Sequence, residues 1–364
     1  MENHHGPYIS SKKYIPQLDG IRGLAILLVI TYHYFGFLKI FSFGWTGVDV
    51  FFVLSGYLIT SRLYAFKNDK NYFSKFYTNR ALRILPVYYA SLIIFYAGFN
   101  LLLSPVNLPS ITYYNNNWWS FLLFLENWTF IKQLPSQDHL LHFWSLAIEE
   151  QFYLIWPLFI YIFLSKKYFN RLIVLLLLAI ITLRCLIYLQ HPTFKDFHYY
   201  FFNTFCRMDG FIMGGGLFLL QQKRNLKPVQ NGYLFLLGVI AIGIYFTNTS
   251  QANPFISTIG FTLLALFFAG LINFVTINPN SSLSKVFKVG WLIFIGRISY
   301  GLYIYHWIIY RIVHPRFAFW MNNMIIDKDL VNWISLVVCL IVSLVISTVS
   351  YFYFESYFLK LKRK

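Results

Sequence analysis

Long apolar runs separated by short polar stretches fill most of the chain of 364 residues. Each run approaches the roughly 20 residues that an α-helix needs to cross the hydrocarbon core of a bilayer. Ten runs qualify as membrane spans, over residues 21–39, 45–63, 84–103, 144–164, 171–189, 203–221, 232–247, 255–276, 291–312 and 331–357. The pattern predicts an all-α integral membrane protein, a bundle of about ten transmembrane helices that forms one domain over residues 1–364.

One further apolar segment, residues 118–131, is too short to cross a bilayer and contains Glu126 among several aromatic side chains. These features are typical of a helix that lies in the membrane interface or re-enters from one side. An eleventh span at this position would also reverse the side of every later loop. The sequence therefore predicts an extra interfacial or re-entrant helix between the third and fourth spans.

Composition and charge distribution agree with a membrane protein. Charged residues make up 12% of the chain, whereas a soluble domain contains about 25%. The net charge of +17 comes from Lys and Arg in short loops, which indicates membrane topology rather than nucleic-acid binding. Twenty of the thirty basic residues lie on the side that holds both termini, and five lie on the opposite side. The positive-inside rule therefore predicts that both termini are cytoplasmic.

The first span carries an unusual set of ionisable residues, Asp19, Arg22 and His33. Arg22 and His33 are eleven residues apart, so they lie on nearly the same helix face, about 16 Å apart along the axis. An ionisable residue inside an apolar span is costly and is a functional candidate for that reason. The alternatives are a structural hydrogen bond from His33 to a neighbouring helix and an ion pair between Arg22 and Asp19.

With this topology, the charged residues within the membrane fall into two layers. The cytoplasmic layer is mostly arginine and consists of Asp19, Arg22, Arg62, Arg80, Arg83 and Arg297. The outer layer mixes histidines with carboxylates and consists of His33, Asp49, Glu149, Glu150, Arg207, Asp209 and His306. An arginine cluster suits the phosphates of an anionic ligand. A cluster of histidines and carboxylates suits proton transfer.

Several members of the outer layer also have structural interpretations. Asp49 is placed to hold a histidine ring, and Glu149 is placed to form a salt bridge with Arg207. Arg207 and Asp209 read as a charge pair that positions the acids. His306 is either a second histidine of the site or a histidine packed among aromatic rings. Arg80 and Arg83 share a helix face, which suits a phosphate clamp or ordinary anchoring at the membrane surface.

Five motifs follow one another along the chain, namely LDGIRGLAILLVITYHYF, GVDVFFVLSGYLI, RALRILPVYY, FWSLAIEEQFYLIWP and SYGLYIYHW. This ordered set resembles the membrane acyltransferase-3 family of integral-membrane O-acyltransferases over essentially the whole chain. The R-x10-H pattern of that family matches Arg22 and His33. Its RxxR pattern matches Arg80 and Arg83, and its WSLxxE pattern ends at Glu149.

The resemblance implies a multi-pass protein of the bacterial inner membrane that moves an acetyl group from cytosolic acetyl-CoA to a glycan beyond that membrane. The expected acceptor is a glycan or lipid-linked glycan, such as lipopolysaccharide O-antigen or another surface polysaccharide. Some members carry an appended SGNH hydrolase-like domain. We expect the stand-alone form here, which transfers the acyl group itself or hands it to a separate periplasmic acceptor protein. The three cysteines lack a paired spacing, and no metal is expected.

We therefore predict that His33 is the general base on the acceptor hydroxyl or is transiently acylated, and the sequence leaves both roles open. Glu149, in preference to Glu150, is expected to orient His33 or the acceptor. The phosphates of CoA are assigned to Arg22, Arg80 and Arg83. Supporting roles are assigned to Asp19, Asp49, Arg207, Asp209 and His306.

Two alternatives stand beside this prediction. The first is a transporter or flippase for an anionic lipid-linked glycan, because buried charges also line transport pathways and ten spans is an ordinary number for a transporter. The sequence contains neither an internal repeat nor a pair of interrupted helices to favour it. The second is an acyltransferase that uses a longer acyl or a succinyl donor. Dependence on acetyl-CoA discriminates among these possibilities.

Overall fold

The computed structural model describes residues 14–102, 108–136, 138–192, 197–223, 253–322 and 327–362, together with residues 238, 239 and 243. Helices account for all the regular structure in this part of the chain: α1 (Pro16–Phe35), α2 (Gly47–Phe66), α3 (Tyr72–Leu102), α4 (Leu108–Asn116), α5 (Trp118–Leu122), α6 (Glu126–Lys132), α7 (Trp144–Phe163), α8 (Phe169–Gln190), α9 (His198–Phe201), α10 (Thr204–Arg207), α11 (Asp209–Lys223), α12 (Phe261–Ile277), α13 (Ser282–Val286), α14 (Gly290–Asn322), α15 (Lys328–Val349) and α16 (Ser356–Lys360). Single turns of 3₁₀ helix cover Lys39–Phe41, Gly44–Thr46 and Leu141–Phe143, and π turns cover Ile256–Gly260 and Ser350–Glu355.

Within the described ranges, eight helical segments are long and apolar enough to cross a membrane. They are Pro16–Phe35, Lys39–Phe66, Tyr72–Gly98, Leu141–Phe163, Phe169–Gln190, Ile256–Ile277, Gly290–Asn322 and Lys328–Lys360. The prediction of an all-α, multi-pass membrane protein is thereby confirmed. The predicted span over residues 203–221 is divided at Met208 into α10 and α11. The predicted span over residues 232–247 lies largely outside the described residues.

The segment over residues 118–131 forms two short helices, α5 and α6, instead of the single interfacial helix that the sequence suggested. Neither is long enough to span a bilayer. Phe124 separates them with a φ of 54°, in the left-handed region that bulky residues rarely adopt. Its ring stacks on that of Tyr88, with centroids 4.3 Å apart, and this contact helps to hold the break between the helices.

Glycines allow α1 and α14 to pack backbone against backbone. A Cβ atom added at Gly23 would lie 2.2 Å from the carbonyl oxygen of Leu292, and one added at Gly296 would lie 1.8 Å from that of Asp19. Only a hydrogen atom fits at such a distance, so small residues are required at both positions. The two helices run parallel, and their close contact places the middle of α14 beside the last turn of α1.

The charged side chains of the bundle define its two ends. Helices α1, α3 and α14 run in one direction, and α2, α7 and α15 run in the opposite direction, as the contacts between their side chains require. One end of the bundle holds Arg22, Arg80 and Arg83, and we call it the arginine end. The other end holds His33 and His306, and we call it the histidine end.

Candidate active site

Two histidines, from α1 and α14, meet at the histidine end. His33 lies in the last turn of α1 and is half-buried, whereas His306 is fully buried in α14. Their rings stack with centroids 5.0 Å apart, and Nδ1 of His33 lies 2.7 Å from Nε2 of His306. Of the two interpretations of His306 that the sequence left open, the structure favours direct contact with His33 across 273 positions of the chain.

The hydrogen bonds of this pair determine which ring nitrogens carry protons. His306 Nδ1 lies 2.7 Å from the carbonyl oxygen of Tyr303 and 3.0 Å from that of Leu302. Because a carbonyl oxygen only accepts, His306 Nδ1 must be protonated, and Nε2 of the neutral ring is then an acceptor. His33 Nδ1 therefore donates to His306, and Nε2 of a neutral His33 keeps its lone pair. Such a nitrogen can take a proton from a hydroxyl group or attack a carbonyl carbon.

Aromatic and hydroxyl side chains hold the two rings in place. The ring of Trp307 packs against His33 with centroids 4.5 Å apart. The hydroxyl of Tyr34 donates to the backbone carbonyl of His306 at 2.7 Å and contacts Ser343 Oγ at 2.9 Å. These contacts restrict both imidazoles to one orientation, as a positioned proton acceptor requires.

A third histidine, which sequence reasoning did not single out, lies beside the pair. The ring of His142 is 5.3 Å from that of His306, and its Nε2 donates to the carbonyl oxygen of Ile304 at 3.1 Å. Its Nδ1 is buried and has no hydrogen-bond partner among the described residues. The signal was present in the sequence, because His142 directly precedes an apolar span.

A cavity of about 980 Å³ lies at the arginine end, where α1, α2 and α3 meet the segment that follows α15. Cationic side chains dominate its lining: Arg22, Arg62, Lys75, Arg80, Arg83, Lys360 and Lys362. Its carboxylates pair with two of these cations, Asp19 with Arg22 at 2.8 Å and Asp69 with Lys75 at 2.7 Å. The other five cations form no ion pair with any residue in the described part of the chain. The cavity therefore keeps a net positive charge that suits a polyphosphate anion.

A second, smaller cavity of about 70 Å³ adjoins the first, because the arginines of the R-x10-H and RxxR patterns line both. We call it the neck. Ser145 and Tyr303 also line the neck, and their side-chain oxygens are 2.5 Å apart. The ring of Tyr303 lies 5.7 Å from that of His306. A continuous series of polar and aromatic side chains thus leads from the arginines to the histidine pair.

Glu149 and Glu150 line the neck beside the arginines, so their assignment to the outer layer with His33 is wrong. Glu149 Oε1 accepts hydrogen bonds from Ser55 Oγ at 2.5 Å and from the hydroxyl of Tyr153. Glu150 Oε1 is buried and lacks a hydrogen-bond partner among the described residues. The physical reason is depth, because both acids lie more than one turn inside α7. The ring of His33 is oriented by His306, where the sequence suggested Glu149.

Two buried ion pairs account for the remaining predicted residues. Arg207 bonds Asp49 at 2.8 Å, and Asp209 bonds Arg184 at 2.8 Å. Asp49 therefore does not hold a histidine ring, and Arg207 pairs with neither Glu149 nor Asp209. The cause is the packing of α2 against α11, which brings Asp49 to Arg207. Arg184 was missed, although a charged residue in the middle of the fifth apolar run was a visible signal.

The fold and the site together define a multi-pass membrane protein with a cationic cavity at one end of the bundle and an oriented histidine pair at the other. The family model described as an acyltransferase domain matches residues 15–352. The chain therefore belongs to the membrane acyltransferase-3 family, which confirms the resemblance drawn from its motifs.

Relatives of this chain include two O-acetyltransferases. The chain is 32% identical over 328 residues to the peptidoglycan O-acetyltransferase OatA of Listeria monocytogenes, an alignment that covers 84% of the chain and 51% of that protein. It is 31% identical over 317 residues to the O-acetyltransferase OatA of Staphylococcus aureus, with coverage of 82% and 51%. The chain thus spans about half the length of the curated relatives it matches. No solved structure matches the chain.

Proposed function

We propose that this protein is an O-acetyltransferase that takes an acetyl group from acetyl-CoA and transfers it to a hydroxyl group of a cell-envelope glycan. The observation that carries the proposal is the lone pair on His33 Nε2, which the hydrogen bond to His306 leaves available. The names of the relatives support the chemistry, since both are O-acetyltransferases and one acts on peptidoglycan.

The donor occupies the cavity at the arginine end in this proposal. Arg80 and Arg83 bind its phosphates, because guanidinium groups match phosphate oxygens with paired, charge-assisted hydrogen bonds. Arg22 adds the guanidinium N–H groups that its 2.8 Å ion pair with Asp19 does not use. The pantetheine arm extends through the neck and brings the thioester towards Tyr303 and the histidine pair. Along α1, Arg22 and His33 are about 16 Å apart, which is the distance that the arm has to cover.

The transfer step follows from the protonation state of His33. Nε2 takes the proton of the acceptor hydroxyl as its oxygen attacks the thioester carbonyl. The carbon–sulfur bond then breaks, and His33 gives the proton to the leaving thiolate, which departs as CoA. The same lone pair serves a second route, in which Nε2 attacks the thioester and carries the acetyl group before the acceptor arrives. Neither route requires a metal.

The orientation in the membrane completes the proposal. Basic residues concentrate on the side of both termini, which favours a cytoplasmic arginine end in the bacterial inner membrane. The histidine end then faces outwards, beside helices α4, α5 and α6. We infer that this side receives the glycan, either peptidoglycan or another surface polysaccharide, or a separate periplasmic acceptor protein.

The test is the transfer of labelled acetyl from acetyl-CoA into the envelope fraction of membranes that contain the protein. His33→Ala is expected to lose at least about 100-fold in rate, because a positioned general base contributes about 10²–10⁴. His314→Ala is the matched control, since His314 lies on α14 two turns beyond the site and bonds Asn332 at 2.9 Å. It should retain activity.

The results separate the alternatives. Label that reaches the glycan with wild type and His314→Ala but not with His33→Ala supports the proposal. Normal transfer by a folded His33→Ala variant contradicts the role of His33. A wild-type protein that leaves acetyl-CoA unconsumed in the presence of acceptor contradicts the enzyme class and favours the transporter. Label trapped on the wild-type protein without acceptor, and absent from His33→Ala, selects the acyl-histidine route.

A further inference from the structure

We propose that Lys362 is a phosphate ligand of the cavity at the arginine end and that it takes up a proton when the phosphate binds. The proposal rests on the proposed function for the identity of the donor, and it adds a binding residue that the family motifs do not contain. It also makes affinity for the donor depend on pH in a way that one side chain controls.

The geometry brings the end of the described chain to the cavity. Helix α16 packs against α3, and Lys362 follows it by two residues. Leu359, Lys360 and Lys362 then line the same cavity as Arg80 and Arg83. Lys362 lines this cavity and is half-buried, so solvent has restricted access to its side chain.

The charged groups around Lys362 come from every element that borders the cavity. The cations are Arg22 of α1, Arg62 of α2, Lys75, Arg80 and Arg83 of α3, and Lys360 of α16. The carboxylates of the lining are Asp19 and Asp69, each paired with its own cation. Glu355 lies in an adjacent cavity that Arg83 also lines, and Glu149 and Glu150 lie in the neck. Cations outnumber carboxylates around Lys362, and the potential at its ammonium group is positive.

This environment makes the ammonium form of Lys362 unstable while the cavity is empty. Burial, together with repulsion from Arg83, Arg80, Arg62 and Arg22, lowers the pKa of Lys362 from 10.5 to about 7. A phosphate among these arginines supplies negative charge and restores the ammonium form. Near neutral pH the empty site holds Lys362 about half protonated, and the occupied site holds it protonated.

The proton uptake that accompanies phosphate binding increases with pH. Phosphate binding should take up about one proton at pH 8.5 and about a tenth of a proton at pH 6. Affinity therefore falls as pH rises above 7, by up to about tenfold per pH unit. The phosphate monoester of CoA is already fully ionised in that range, because its second pKa is about 6. Any proton that a probe itself releases on binding is the same for each variant, so the uptake by Lys362 is the difference between wild type and Lys362→Arg.

The experiment is calorimetric titration of the purified protein at pH 8.5 in two buffers that differ in ionisation enthalpy. Both CoA and inorganic pyrophosphate serve as probes. Lys362→Arg keeps the positive charge and cannot titrate, so it should bind without proton uptake. Lys362→Met should also lose the uptake and should bind about tenfold more weakly than Lys362→Arg. Lys67→Met is the matched control, because Lys67 lies at the same end of the bundle over the ring of Tyr64 and outside the cavity lining.

Proton uptake by wild type and Lys67→Met, and its loss in both Lys362 variants, is the expected result. Uptake at pH 8.5 that is no larger in wild type than in Lys362→Arg overturns the proposal. If pyrophosphate binds with uptake while CoA fails to bind, the role of Lys362 stands and the proposed donor is wrong. If neither probe binds, the phosphate site itself is refuted.

Discussion

Two groups of arginines lie within the membrane part of this protein, and they differ in burial and in ion pairing. Arg184 and Arg207 are fully buried, and each forms a 2.8 Å ion pair with an aspartate. The guanidinium of Arg207 also lies 3.8 Å from the centre of the Phe261 ring. Arg80 and Arg83 are only half-buried, line a large cavity and have no carboxylate in ion-pair contact within the described chain.

This difference distinguishes structural charge from charge that awaits a ligand. A buried charge that the protein neutralises ties helices together and has no capacity left for another anion. Cations clustered around a cavity repel one another, and a bound anion offsets this repulsion. The sequence alone does not separate the two kinds of arginine, since Arg83 and Arg207 both count among the charged residues predicted to lie within the membrane. Their partners decide which role each one takes.

The largest expected effect is on the stability of the paired group. Asp49→Asn leaves Arg207 as a buried charge without its counterion, which should cost about 3–5 kcal/mol in the free energy of unfolding. Thermal unfolding in detergent micelles measures this loss. The double variant Asp49→Leu with Arg207→Met removes both charges and should unfold close to wild type. An Asp49→Asn single variant as stable as wild type would contradict the structural role of the ion pair between Asp49 and Arg207.

The next effect is on the histidine pair, which is held by neutral hydrogen bonds instead of ion pairs. His306→Phe cannot accept the hydrogen bond from His33 Nδ1, so His33 is free to adopt the other tautomer and to rotate. We expect kcat to fall about 100-fold, with the KM for acetyl-CoA unchanged.

The matched variant is His306→Gln, whose side-chain oxygen can still accept from His33. It should recover part of the lost kcat and keep the pH profile of the wild type. An equal loss in both variants would mean that His306 acts through packing alone.

A smaller effect is expected at the cavity. Arg83→Gln removes a charge that has no carboxylate in ion-pair contact within the described chain, so the unfolding temperature should stay close to wild type. The loss of a charge-assisted hydrogen bond to phosphate, about 1.5–3 kcal/mol, should raise the KM for acetyl-CoA about 10- to 100-fold. Steady-state kinetics in membranes measure this change. A large loss of stability without a change in KM would place Arg83 with the structural arginines.

The smallest effect is at Glu126, a carboxyl group outside the membrane spans that forms no ion pair with any described residue. It is fully buried, and its Oε1 accepts a hydrogen bond from Tyr88 at 3.1 Å. Burial raises the pKa of Glu126 well above its usual range. The folded state therefore binds this proton more tightly than the unfolded state, and its contribution to stability falls as pH rises above about 4.5.

Glu126→Gln imitates the protonated form and should remove this pH dependence. The variant is expected to exceed wild type in stability by about 1 kcal/mol or more at pH 8, with little difference at pH 4. Unfolding temperatures across that pH range provide the measurement. A Glu126→Gln variant less stable than wild type at pH 8 would show that the carboxylate form is the one bound in the fold.

The sequence was sufficient for most of the described helices and for the relative position of the charges along α1. Apolar runs predicted the membrane spans, and helical spacing placed Arg22 and His33 at opposite ends of one face. Spacing does not say which neighbouring helix meets that face. The contact of His33 with His306 joins positions 273 residues apart, and glycine-mediated packing of α1 on α14 creates it.

The depth of a side chain in the bundle is a second feature that could not be predicted from the sequence. Glu149 belongs to the start of an apolar run, and the sequence placed it at the outer surface for that reason. More than one turn of α7 precedes it, so it reaches the neck and accepts hydrogen bonds from Ser55 and Tyr153. The ion pair between Arg184 and Asp209 could not be predicted either, because the two residues lie on different helices.

The central claim is that the unpaired cations at the arginine end bind the acyl donor, and thermal unfolding of the purified protein with and without CoA tests it most directly. We predict that CoA raises the unfolding temperature of wild type and of His33→Gln, because a ligand that binds only the folded state stabilises it. Arg83→Gln should lose most of that shift while it unfolds normally without ligand. An unfolding temperature that CoA leaves unchanged in wild type, or a full shift in Arg83→Gln, would contradict the account.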